Sequence, residues 1–559
     1  MNDKPVKKGG VELPECATQF IGQVVRKMRY TRRARREVQA ELTAHFEDEL
    51  RDCPDAAAKE QQAQRLIDEF GDARLLAALC RRAKKRCRPL WVRAFARTMQ
   101  TIGVFLLVFI PYTIWFVRGR AQPTVDYLPQ VNALNWSLGR AEDNAWPYYD
   151  KAMHLLVEPN EAIQNASWFG SSKPPGEPLT PQERARLEGW MAVNSPAWSQ
   201  FELGAAKGYC HRTYRRLPGR PLLMSSMEDP PLASLRGLAR IGLWKSRLAI
   251  EQGHIDEGLG HCLTLVRGAA HLETNGFMIQ ELVAYAVGAQ GCWEIRGILN
   301  SKDLSVSQLS ELQGQVIRAR RQGYPPLSLE GERLATLDGI GSEFTAGGIG
   351  GGHHVVGPYA KFAYAAMEVP DTPENRNFGR IMMPFDVGAS MIHAGRTRTI
   401  AKVNQLYDRM SDTVRRSPYE WHLRGMHQAS EGVGRFEKLR YGMVYLLLPA
   451  ERRASELRFQ SKADHEALVT ILAVERYRLE TGSYPRDLKT LVDARYLGEL
   501  PVDPFSDQPL VYKRVGDNFL LYSVGRDFND DGGEPGRDSQ GKAKIWAETG
   551  DAVFWPVNP

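Results

Sequence analysis

The sequence predicts a mainly α-helical protein: a small helical bundle, one membrane-crossing helix, a large region of paired helices and a small C-terminal α+β segment. Three observations predict it. Apolar residues recur at helical spacing from Ile21 to Leu79 and again from Leu235 to Val266. Thr98 to Val117 is an unbroken run of 20 uncharged residues. Strand signals stand near the C-terminus, VYKRV at 511–515 and NFLLYSV at 518–524, separated by the two-residue hairpin signal Gly516-Asp517. With 559 residues the chain has room for about three or four globular units. Hydrophobic residues at 43% and charged residues at 25% exclude wholesale disorder and collagen-like repetition.

The first unit is expected over 17–85. Arg35, Arg36, Glu37, Glu41 and His45, with Leu42, Phe46 and Leu50, form one amphipathic helix; Ala63, Leu66, Ile67 and Phe70 form the next; Leu75, Leu76 and Leu79 begin another, with breaks at Pro54 and Gly71. The Arg-rich start, the helix RREVQAELTAHFEDEL and the closing LIDEFGDARLLAALC resemble the HAAS-type, permease-prefix cytoplasmic domains of bacterial membrane proteins. That resemblance implies a helical module ahead of a membrane segment that contacts a cytoplasmic protein partner. It brings no catalytic residues.

A transmembrane helix is expected over 98–117, long enough to cross a ~30 Å hydrocarbon layer at about 1.5 Å per residue. Residues 1–97 hold 22 Lys and Arg against 14 Asp and Glu, so they carry the whole basic excess of a chain whose net charge is +7. Eight cations from Arg81 to Arg97 precede the run, whereas Arg118 and Arg120 follow it, which places the N-terminus in the cytoplasm and the bulk of the chain on the outer face. Trp91, Tyr112 and Trp115 suit the interfaces, and Pro111 is tolerated in a membrane helix. The lipid bilayer accounts for the basic cluster through anionic head groups, and no nucleic acid is required. The first 30 residues lack the apolar core of a signal peptide. Cys210, Cys262 and Cys292, an odd number without close spacing, indicate no disulfide framework.

Residues 121–454 read as a helical scaffold with a flexible Gly-rich loop at 341–358. Thr180-Pro181-Gln182-Glu183 and Ser305 to Gln308 are capping boxes. Leu235, Leu238, Ile241 and Leu248 line one helix, Gly253 ends it, and Ile255, Leu259, Leu263 and Val266 line its return. The turn EQGHIDEGL looks like that of a tetratricopeptide-type hairpin, without a 34-residue period. Paired helices of this kind imply a concave surface for a partner.

Catalytic chemistry would have to come from His353, His354, His422, His427, Glu330 and Glu332. His422 and His427 are five apart and do not share a helix face, no HExxH or GxSxG motif is present, and the run GGIGGGHH lacks the Lys-Ser/Thr of a phosphate loop. Glu330 and Glu332 could divide acid and base roles if their environments separated their pKa values.

The α+β segment is expected over 462–559. Its helix, then Tyr477, Gly482-Ser483-Tyr484-Pro485, Leu488, Tyr496-Leu497, Leu500-Pro501, Asp503-Pro504-Phe505, Val511-Tyr512 and Leu521-Tyr522-Ser523-Val524-Gly525, resembles the globular part of type II secretion major pseudopilins over about 75 residues. The long separation from the membrane run departs from that family, so the resemblance implies the fold and not the fibre. Asp527-Phe528-Asn529-Asp530-Asp531-Gly532 satisfies the D-x-N-x-D-G pattern, with Asp538 at the twelfth place, and Asp527, Asn529, Asp531 and Asp538 are the expected ligands of a structural calcium ion. The functional expectation is a non-enzymatic single-pass membrane protein whose outer scaffold or sensor is coupled to a cytoplasmic partner. The alternatives are an accessory of a type II secretion or pilus-like machine, partnered by its components, and an outer-face hydrolase.

Overall fold

Side-chain caps set the first helices: Thr31 accepts the Ala34 N–H at 3.4 Å and Asp55 the Ala58 N–H at 2.7 Å. The computed structural model describes residues 12–86, 90–134, 140–166, 169, 179–216, 223, 232–273, 276–320, 323–357, 384–426, 432–448 and 450–557. Helices α1 (Glu15–Lys27), α2 (Arg32–Glu49), α3 (Ala56–Phe70) and α4 (Ala73–Arg86) follow in order, and Gly71, at φ +70°, ends α3. Their apolar faces meet in one core of Phe20, Val24, Val38, Leu42, Phe46 and Leu66, with the Phe46 and Phe70 rings 5.8 Å apart. Lys84 of α4 turns inward to α2, its Nζ 2.7 Å from Glu41 and 3.4 Å from Glu37.

Helix α5 (Leu90–Val117) carries the uncharged run. Its segment Ala94–Val117 is long and apolar enough to span a membrane, and 6% of its most apolar window is buried against protein. The hydroxyls of Thr98, Thr101 and Thr113 donate to carbonyls one turn back, at 2.9–3.0 Å, so they make no demand on water. The chain divides into two compact units, Met1–Trp115 and Phe116–Pro559.

The second unit is built from antiparallel helix pairs. Helix α6 (Ala233–Glu251) turns at Gly253, φ +83°, into α7 (Ile255–Leu272), which packs on α8 (Met278–Ser301). Both expected capping boxes are present, at Thr180/Glu183 and at Ser305/Gln308; the latter opens α9 (Val306–Ala319). Leu235, Leu238 and Ile241 join Trp198, Phe201 and Leu265 in one core, while Leu259, Leu263 and Val266 face Ile295 and Leu468 in the next. Further along are α10 (Glu330–Gly341), α11 (residues 384–392), α12 (Arg396–Val414) and the 31-residue α13 (Glu451–Thr481). Two neighbouring faces of α13 are buried: Leu468 and Leu472 pack on the helix pairs, whereas Ala467, Ile471 and Val474 pack on the sheet.

That sheet is three-stranded and antiparallel. β3 (Val511–Val515) and β4 (Asn518–Ser523) are joined at Gly516-Asp517, with Val515 opposite Asn518, and β5 (Ala552–Trp555) pairs with β4; β1 (Val502–Asp503) and β2 (Gln508–Pro509) form a separate ribbon. Asp503 ties ribbon to sheet. Its buried carboxylate accepts from Phe505 N, Ser506 Oγ, Ser523 Oγ and Val524 N at 2.7–3.1 Å.

Candidate functional site

The Gly-rich segment, expected to be a flexible loop, keeps Gly347 and Gly348 exposed but packs through residues 351–355 where the chain leaves α5. Adjacent residues of an extended strand point to opposite sides, and His353 and His354 use both. His353 stacks on Phe116 with ring centres 4.4 Å apart and sets Nε2 3.2 Å from the Phe116 carbonyl. The glycines are required by close approach: Gly352 has φ +124°, and a Cβ there would lie 2.0 Å from the Thr345 carbonyl oxygen. Arg396, at the start of α12, completes the clasp. Its guanidinium donates to Gln122 O, Thr124 Oγ1, Gly341 O and Phe344 O at 2.6–3.0 Å.

His354 points inward to a buried polar cluster. Its Nδ1 lies 3.0 Å from Ser390 Oγ, its Nε2 lies 3.6 Å from Glu343 Oε2, and its ring is 4.8 Å from that of His393. Asp386 is buried beside it. Burial pushes the His354 imidazole down to about 4, and burial together with His354 does the same to His393. Ser390, His354 and Glu343 stand in nucleophile, base and carboxylate order. Ser390 is 1% exposed, and its hydroxyl donates to the Val355 carbonyl at 3.2 Å, which ties the cluster to the segment that follows His354.

The other proposed catalytic residues are dispersed. Glu330 pairs with Arg333 at 2.6 Å. Glu332 accepts the Met278 N–H, and withdrawal from solvent pushes its carboxyl up to about 7. His422 stacks on Phe528 at 4.3 Å, and His427 lies outside the described residues. Among the described residues no hydrogen bond, ion pair or ring contact joins His353 or His422 to Glu330 or Glu332.

The acidic turn is held largely by backbone donors. Asp527 accepts Asn529 N and Gly550 N at 3.2 and 2.8 Å, and Asp538 accepts Gln540 N and Lys542 N at 2.9 and 3.0 Å in a separate tight turn. Asn529 and Asp531 are exposed. Among the described residues no group of three or more His, Cys, Asp or Glu side chains is arranged to hold a metal ion. The carboxylate that organises the turn is one the pattern did not include: Asp551, on β5's approach, buried and accepting Asp531 N and Gly533 N at 3.3 and 2.6 Å. Burial, reinforced by the neighbouring charges of Asp530 and Asp531, pushes it up to about 6. The side of the turn nearest Asp530, Asp531 and Asp551 therefore has a negative field that a cation would relieve.

Comparison with protein-family models, with curated protein sequences and with solved structures gave no significant match for this chain.

Proposed function

We propose that this is a single-pass membrane protein that couples an outer helical scaffold or sensor to a partner bound by its cytoplasmic helical unit. The observation that supports the reading is an apolar, largely uncovered helical segment, Ala94–Val117, with the basic excess on its N-terminal side. The clasp adds to it: Phe116, at the end of α5, is gripped by His353, so a rearrangement of residues 341–357 would act directly on the end of the span. The positive-inside asymmetry sets the N-terminus in the cytoplasm.

Thiol labelling of intact cells with a membrane-impermeant maleimide tests the topology. Cys16, Cys53 and Cys80 are free and partly exposed; they should stay unlabelled until the membrane is permeabilised, whereas Gln540→Cys, at an exposed turn, should label at once. Labelling of Cys16 or Cys53 in intact cells rejects the orientation. Crosslinking from positions 31–80, with identification of the captured protein, then separates a signalling or transcription partner from components of a secretion machine.

Calcium at the acidic turn belongs to the same proposal as a stabiliser of the C-terminal sheet. At ten times its Kd the ion would contribute about 1.4 kcal/mol. A calcium-dependent rise in the melting temperature of the Phe116–Pro559 unit should vanish in Asp527→Ala or Asp531→Ala, and should weaken as pH falls through about 6, where Asp551 takes up its proton. Identical melting in calcium and in chelator removes the ion from the reading.

A further inference from the structure

Helix α4 buries one face and leaves a different kind of face uncovered. Ala73 and Ala77 enter the core and Lys84 is held by Glu37 and Glu41. Opposite them, Leu75, Ala78, Leu79 and Arg82 fall at i, i+3, i+4 and i+7 and so form one stripe along the helix. Leu75 is 62% and Leu79 52% exposed, and among the described residues of helices α1–α4 they are the two large apolar side chains left largely in solvent. Arg82 is exposed on that stripe, Arg81 is exposed on the flank of the helix, and the same chain enters α5 at Leu90.

We infer that this stripe of α4 is a membrane-surface contact for anionic lipid, with Leu75 and Leu79 dipping into the head-group boundary and Arg82 meeting lipid phosphates. The inference rests on the reading of α5 as a membrane span. Two features select lipid over a protein groove. The apolar residues are few and lie next to cations of one sign, the composition of an interfacial helix. The end of α4, Arg86, also stands only eight residues before the apolar segment Ala94–Val117, close to the surface where an anionic bilayer attracts basic side chains and long cationic stems can keep their charge at head-group level.

Hydrogen exchange of the full-length chain in nanodiscs tests it, comparing phosphatidylcholine alone with two parts phosphatidylcholine to one part phosphatidylglycerol. Residues 98–117 should be protected in both. Residues 73–86 should exchange about tenfold more slowly in the anionic discs, and the difference should disappear in Leu75→Ser/Leu79→Ser and in Arg82→Glu, whose altered side chains lie outside the core. Protection of 98–117 with unchanged exchange at 73–86 overturns the lipid contact while leaving the span intact. Equal slowing in both lipids also overturns it, in favour of cover by a second copy. Unprotected 98–117 removes the span and the inference together.

Discussion

Arg320→Met should lower the stability of the Phe116–Pro559 unit by about 3–5 kcal/mol. Arg320 follows α9 and Glu273 follows α7, and their side chains, each 4% exposed, meet in a bidentate pair whose second contact is 2.6 Å. The Arg320 guanidinium also lies over the Tyr324 ring at 3.9 Å. Methionine keeps most of the volume and removes the charge, so Glu273 is left buried without its counter-ion. The environment is already hostile to a second carboxylate: burial pushes the Glu281 carboxyl well above the ordinary range, although Tyr285 OH donates to it at 2.9 Å. Glu273→Leu/Arg320→Met should regain most of the stability, because a buried ion pair replaced by apolar groups of similar volume is often neutral. Chemical unfolding of the four proteins of this cycle gives the coupling; a single-variant loss below about 1 kcal/mol would mean the pair is solvated and dispensable.

The helix pairs were legible because their signals are local. Leu235, Leu238 and Ile241 share a face through the 3.6-residue period alone, and Thr180/Glu183 and Ser305/Gln308 close their boxes within four residues. The hairpin at Gly516-Asp517 is local in the same way. The clasp was not legible. His354 was visible as a histidine after glycines, but Asp386, Ser390, His393 and Arg396 reach it from more than 30 residues away, and no spacing announces that approach. Lys84 shows the opposite error. In the sequence it belongs to the basic flank, and packing of α4 on α2 delivers it to Glu37 and Glu41. At the acidic turn the D-x-N-x-D-G pattern named Asp538, whereas pairing of β5 with β4 brings in Asp551, 20 residues beyond Asp531.

Acidification from pH 7 towards 4 should loosen the clasp, and His354 and His393 set the direction. In an unfolded chain each imidazole titrates near 6.5, whereas in the fold each is pushed down to about 4. The unfolded state therefore binds more protons across that window. Stability is fully present above about pH 6.5, declines as pH falls, and stops changing below about 4, when both states are protonated. A shift of this size corresponds to about 3 kcal/mol for one imidazole, and the second proton would enter a ring 4.8 Å from the first. Glu343, 3.6 Å from His354, and Asp386 favour the first proton, while Arg440 and His353 oppose it. Other groups titrate in the same unit. His271 and His465 are pushed down to about 4 and about 3 and act with the same sign, whereas Glu332 and Asp551, raised to about 7 and about 6, cost stability as pH rises. The decisive quantity is the difference between the wild-type stability curve and that of His354→Gln/His393→Gln, which should be flatter between pH 6.5 and 4. Hydrogen-exchange protection over 341–357, taken relative to the intrinsic rate at each pH, should fall on acidification in the wild type and not in the variant. Parallel curves would mean that the imidazoles reach solvent and that the end of α5 is held independently of pH.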